Sequence, residues 1–139
     1  MSSVSDICVS DICRKVVDNL SDGVACGVVD INTGLLLGVY HLVPYFTPDY
    51  LDAIAAASVE MFAGRTVKRI EQLLSAMSGT PIQKSFEEIF VASPRVFHFM
   101  TLIREKNVIA ILVTRNDISQ GMGWSSLRNA VPDFIASLP

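Results

Sequence analysis

The sequence has few charged residues, and its net charge has the wrong sign for a nucleic-acid partner. Charged residues make up 18% of the chain, and the formal net charge is -3. A surface that binds phosphates needs a stripe of lysine and arginine, whereas this sequence has a pI near 5.2. We therefore expect no nucleic acid among its main partners.

Long apolar runs are also missing, although the chain as a whole is apolar. The runs over 35–40 and 108–113 have the length of strands rather than of membrane spans. The N-terminus has no basic segment of the kind that opens a secretory signal peptide. Hydrophobic residues nevertheless reach 50%, which is a large share for a small domain to bury. We expect no membrane insertion, and we expect self-association.

Cysteine is sparse, with three residues in the 139-residue chain. An odd number without a CxxC pair argues against a disulfide scaffold. Together with the absence of a signal peptide, this predicts a cytoplasmic protein. The length predicts a single domain over 1–139.

Motifs for catalysis are absent as well. The sequence has no P-loop, GxSxG or HExxH motif. Its two histidines, His41 and His98, have no metal-ligand spacing around them. A tight turn explains Gly121-Met122-Gly123 better than an anion site does. We therefore expect no catalytic residue, metal or cofactor, and no enzyme activity.

Hydrophobic periodicity and turn signals predict an α+β chain with the order α-β-β-α-β-β-β-α. The predicted helices cover 5–20, 47–77 and 125–137, and the predicted strands cover 24–29, 35–40, 86–92, 96–103 and 108–114.

The middle helix is the most informative element. Thr47-Pro48-Asp49 gives it an N-cap and a favourable first turn, and Ser78-Gly79 ends it. A continuous helix would span about 30 residues, or roughly 45 Å. A domain of this size cannot bury so long a helix completely, so we expect part of it to contact a partner.

This helix carries two apolar stripes. The first stripe is expected to pack on the sheet and consists of Leu51, Ile54, Ala55, Ser58, Met61 and Phe62. The second stripe alternates spacings of three and four and consists of Ala56, Val59, Ala63, Thr66, Ile70, Leu73 and Met77. Because its small residues would let another helix approach closely, we expect it to be a dimer interface. One broad buried face that rotates along a curved helix is the alternative.

A basic cluster lies on the same helix. Arg65, Lys68 and Arg69 share one helix face by their spacing. They could form a solvated face balanced by Glu60 and Glu71, or a docking site for an acidic partner.

The element order, the hairpin around Asp30 and Gly34, the long middle helix, and the endings at 107–112 and 123–128 resemble the roadblock (dynein light chain) family. The resemblance implies a profilin-like sandwich. In it, a five-stranded antiparallel sheet carries the long helix on one face and the terminal helices on the other.

The resemblance also implies a function. Members are non-catalytic, dimerise through the long helix and the edge strand after it, and include regulators of small Ras-like GTPases. It implies that Phe86, Glu88 and Phe90 of the edge strand join the dimer interface. The long-helix face with Arg65, Lys68 and Arg69 would bind the GTPase or another NTPase. A small-molecule sensor of the GAF/PAS type is the alternative, and it would need a cavity with convergent polar groups.

Overall fold

The structure of the protein is a computed structural model that describes residues 8–139. Its elements, in chain order, are α1 (Val9–Asp18), β1 (Gly23–Asp30), β2 (Leu36–His41), α2 (Pro48–Ala63), α3 (Arg65–Ser78), β3 (Glu88–Ala92), β4 (Val96–Ile103), β5 (Val108–Arg115) and α4 (Gln120–Ser137). The first helix was predicted over 5–20, and positions 5–7 lie outside the described residues.

The five strands form one antiparallel sheet with the order β2-β1-β5-β4-β3. The central strands β1 and β5 are buried along almost their whole length, which fits their continuous apolar sequences. The apolar run at 35–40 does not have this environment, because β2 is an edge strand and is only partly buried. Helices α1 and α4 cover one face of the sheet, and α2 covers the other. The predicted five-stranded, profilin-like sandwich is confirmed.

The long middle helix is not continuous, and that prediction is wrong. Gly64 has an extended backbone (φ -69°, ψ 175°), so α2 ends before it and α3 begins after it. A Cβ atom at Gly64 would lie only 2.4 Å from the backbone oxygen of Glu60. Glycine is a poor helix former, costing about 1 kcal/mol relative to alanine. The close approach to Glu60 explains why this position needs it.

The last helix starts earlier than predicted. Its N-cap is Ser119, whose Oγ accepts a hydrogen bond of 3.2 Å from the Met122 N–H. The expected tight turn over 121–123 is therefore wrong, because both glycines belong to α4. A Cβ atom at Gly123 would lie 2.2 Å from Cζ of the buried Phe99 ring. Position 123 therefore requires glycine, because only a residue without a side chain lets the helix pack on that ring.

Gly123→Ala should therefore destabilise the protein by about 1–3 kcal/mol through overpacking against Phe99. Gly121→Ala is the matched control, since it lies two residues away in the same helix with nothing within 4 Å of its Cβ position. It should stabilise the protein by up to about 1 kcal/mol. Urea unfolding followed by circular dichroism measures both, and equal effects of the two substitutions would contradict the packing argument.

Candidate interaction surface on α2, α3 and β3

Helix α2 packs on the sheet with the face that the first stripe predicted. Ala55, Ser58 and Phe62 are buried, and Leu51, Ile54 and Met61 are half-buried. The Thr47 Oγ1 accepts a hydrogen bond of 3.2 Å from the Tyr50 N–H, which confirms the predicted N-cap.

The cavity beneath α2 is small and apolar. It has a volume of about 40 Å³, and His98 is its most polar lining residue. The His98 Nδ1 is buried without a hydrogen-bond partner among the described residues, and burial lowers the pKa of its imidazole. Ligand pockets usually measure about 300–1,000 Å³, so this cavity does not favour a sensor that binds its ligand under α2.

Helix α3 turns a polar side toward the rest of the protein. Glu71 is buried, and its Oε2 accepts hydrogen bonds from the Ser85 N–H (2.8 Å) and the Ser85 hydroxyl (2.7 Å). One turn later, the Ser75 Oγ accepts a hydrogen bond of 2.8 Å from the Ile82 N–H. The inner side of α3 is thus held by hydrogen bonds to the segment 79–87, with Val67 as its buried apolar residue.

The outer flank of α3 is apolar. Ile70, Leu73, Leu74 and Met77 are all exposed, Leu73 at 47% and Met77 at 82%. A surface helix normally shows the opposite arrangement, with its apolar stripe toward the core. A contiguous group of exposed large apolar side chains is typical of an interaction surface.

The break at Gly64 divides the second stripe between two helices. On α2, Ala56 is exposed, and Val59 and Ala63 are half-buried. On α3, Thr66, Ile70 and Leu73 are all exposed. Sequence reasoning missed Leu74, which lies four residues after Ile70 and widens the apolar flank; that spacing was the available signal.

Strand β3 is the last strand in the sheet order, so no strand within residues 8–139 pairs with the outer side of its backbone. It begins at Glu88, two residues later than predicted, and Phe86 precedes it. Phe86 packs toward the α2 side of the sheet. Phe90 packs on the α4 side, with its ring 5.0 Å from Phe97 and 5.2 Å from Phe99.

Glu88 is paired within the chain. Its two carboxylate oxygens accept hydrogen bonds of 2.8 and 2.6 Å from the guanidinium of Arg128 on α4. Arg128 lowers the pKa of the Glu88 carboxyl by this hydrogen bonding and by its charge. This ion pair therefore links the edge strand β3 to α4. It also means that Glu88, the first residue of β3, places no unpaired charge at the edge of the sheet.

The basic cluster lies on the first two turns of α3. Arg65, Lys68 and Arg69 are exposed, and none of them forms an ion pair within residues 8–139. Of the two glutamates in the solvated-face alternative, Glu71 has its carboxylate turned inward to Ser85, and Glu60 is exposed but forms no ion pair with the cluster within residues 8–139. The cluster is a positive patch beside the apolar flank of α3.

The described part of the chain brings together no group of three or more His, Cys, Asp and Glu residues that could hold a metal ion. Between residues 8 and 139, no helix is both long and apolar enough to cross a membrane.

The sequence matches no protein-family model and no curated protein. Solved structures do match. The gliding protein MglB from Thermus thermophilus is 14% identical with a TM-score of 0.71, covering 99% of this chain and 93% of its own. A roadblock/LC7 domain from Streptomyces avermitilis is 12% identical with a TM-score of 0.68, covering 91% of this chain and 94% of its own.

A third structure, described as MglB with tetrameric arrangement, is 14% identical with a TM-score of 0.66. It covers 94% of this chain and 87% of its own. The resemblance inferred from the sequence is confirmed in the architecture over nearly the whole chain. The chain has the fold of the roadblock/LC7 domains.

Proposed function

We propose that residues 1–139 form a single, non-catalytic roadblock-like domain that acts as a cytoplasmic homodimer and regulates or scaffolds a small Ras-like GTPase or another NTPase. The observation that carries this proposal is the apolar flank of α3, which residues 8–139 leave exposed. The family resemblance supplies the kind of partner.

The second stripe and the α3 flank together suit a symmetric interface. In a two-fold dimer the same surface of each protomer faces its twin, so an apolar surface is self-complementary. Ala56 and Ala63 would let the α2 helices approach closely, and Ile70 and Leu73 would bury their side chains. Full burial of a leucine-sized side chain contributes about 1.5–3 kcal/mol. One structural relative is described as a tetrameric arrangement of MglB, which supports self-association on this fold.

The edge strand β3 would extend the same interface. Its outer backbone side can pair with β3 of the twin; Glu88 and Phe90 lie in this strand, and Phe86 lies two residues before it. The Glu88–Arg128 pair fixes this strand on its own α4. It would therefore enter the dimer already ordered, which lowers the entropy cost of association.

The double substitution Ile70→Glu/Leu73→Glu should weaken the dimer at least 100-fold, equivalent to about 2.8 kcal/mol, because four charges would have to be buried. The matched control is Met122→Glu, an exposed apolar residue (58%) on α4, on the opposite face of the sheet. Sedimentation equilibrium measures the dissociation constant. A double variant that dimerises as tightly as the wild type would remove this flank from the interface.

The positive patch is the proposed contact for the NTPase partner. Arg69 lies four residues before Leu73 on α3, so a partner bound at the patch would sit beside the dimer interface. Unpaired exposed cations steer an acidic partner and raise its association rate. Arginine also brings planar, multiple hydrogen-bond donors to carboxylates.

Charge reversal at Arg65, Lys68 and Arg69 should lower partner affinity at least about tenfold, or 1.4 kcal/mol, without unfolding the protein. An affinity pull-down from lysate with mass spectrometry identifies the partner, and titration at two salt concentrations measures the change. The control is Arg14→Glu/Lys15→Glu on α1, which reverses two exposed charges on the other face of the sheet. Recovery of no NTPase by the wild-type protein would contradict the proposed function.

A further inference from the structure

A concave surface lies on the side of α3 away from its exposed apolar flank. It is a groove of about 920 Å³ between α3 and the segment 79–84. Lys68 and Gln72 line it from the helix, and Phe62, Leu102 and Ile31 give it an apolar floor. Ile70, Leu73 and Met77 do not line it, so the groove and the apolar flank occupy different sides of the helix.

The groove is held in shape by hydrogen bonds at several points. Ser75 binds the Ile82 N–H, and Glu71 binds Ser85, so α3 fixes the segment along one side. On the other side, the Lys84 ammonium donates a hydrogen bond to Asn107 Oδ1 in the β4–β5 turn. Binding to such a preformed groove avoids the cost of ordering it.

The charges of the groove favour an anionic occupant. Its charged lining residues are Lys68, Lys84 and Glu71. The Glu71 carboxylate is buried and already accepts two hydrogen bonds from Ser85. The two lysines outnumber this one carboxylate, so the lining carries a net positive charge, and the ammonium of Lys84 retains donors beyond the one given to Asn107. Arg65 and Arg69 add positive charge on the same helix.

We propose that this groove binds an extended segment of the partner in which carboxylates alternate with large apolar side chains. Successive side chains of an extended segment point to opposite sides. Apolar side chains can therefore enter the floor while the carboxylates between them point to the rim, where the long, exposed side chains of Lys68 and Lys84 can reach them. The volume falls in the range of about 300–1,000 Å³ that is usual for ligand pockets. This proposal rests on the proposed function for the identity of the partner, but binding of a peptide probe does not.

The probe is the synthetic peptide acetyl-Glu-Leu-Glu-Phe-Glu-amide, titrated into the ¹⁵N-labelled full-length protein. We expect saturable amide shifts at Ser75, Ile82 and Gln83, with a dissociation constant below about 1 mM. Lys68→Glu/Lys84→Glu should weaken binding at least tenfold, and so should replacing the peptide's glutamates by glutamines. Lys15→Glu on the opposite face is the matched control and should leave the affinity unchanged.

Each outcome decides one claim. The absence of saturable shifts, or shifts centred on Ile70 and Leu73, overturns the groove proposal. An affinity unchanged by the lysine substitutions overturns it as well. Lys84 lies outside the positive patch on α3, so it separates the two proposals. If Lys84→Glu leaves the affinity for a recovered NTPase intact, the groove proposal fails and the proposed function stands. If the peptide binds at the groove but no NTPase is recovered, the proposed function fails and the groove proposal stands.

Discussion

The hydrogen bonds from Ser85 to the buried carboxylate of Glu71 set the orientation of α3, and the proposed interaction surfaces depend on that orientation. A helix with one polar and one apolar side would ordinarily place the apolar side inward. Here the polar side is inward, and the hydrogen bonds from Ser85 offset the several kcal/mol that burying an unpaired carboxylate would cost. Ile70, Leu73 and Met77 consequently face outward. The same hydrogen bonds hold the segment 79–87 beside α3, and residues 79–84 of this segment form one wall of the groove.

Gly64 makes this orientation possible. With α2 packed on the sheet through Ala55, Ser58 and Phe62, a straight continuation would impose the same rotation on α3. The extended backbone at Gly64 lets α3 begin with a different rotation. The Lys68 N–H donates a hydrogen bond of 3.0 Å to the Gly64 carbonyl oxygen and so forms the first turn of α3. Helix α2 thus packs into the core, whereas α3 exposes its apolar side chains on the surface. Lys68 also joins the two proposals, because it belongs both to the positive patch and to the groove.

The sequence predicted the fold well where its signals were local and strong. The continuous apolar runs of β1 and β5, the N-cap at Thr47 and the stop at Gly79 all appear where expected. It failed at Gly64 and Gly123, because helix-breaking tendency alone does not reveal which neighbour lies against a glycine. Glu60 in one case and Phe99 in the other come close enough to exclude a side chain. Sequence reasoning also missed the groove. Lys68 on α3 and Lys84 on the irregular segment after it line the groove together, and hydrophobic periodicity does not predict the path of such a segment.

The central claim is that the outward apolar flank of α3 is covered by a second copy of the chain. Multi-angle light scattering of the purified wild-type protein during size-exclusion chromatography, at micromolar concentration, tests it most directly. We expect a molar mass of twice the chain mass of 15.2 kDa, or a higher even multiple. A single species at 15.2 kDa would contradict it.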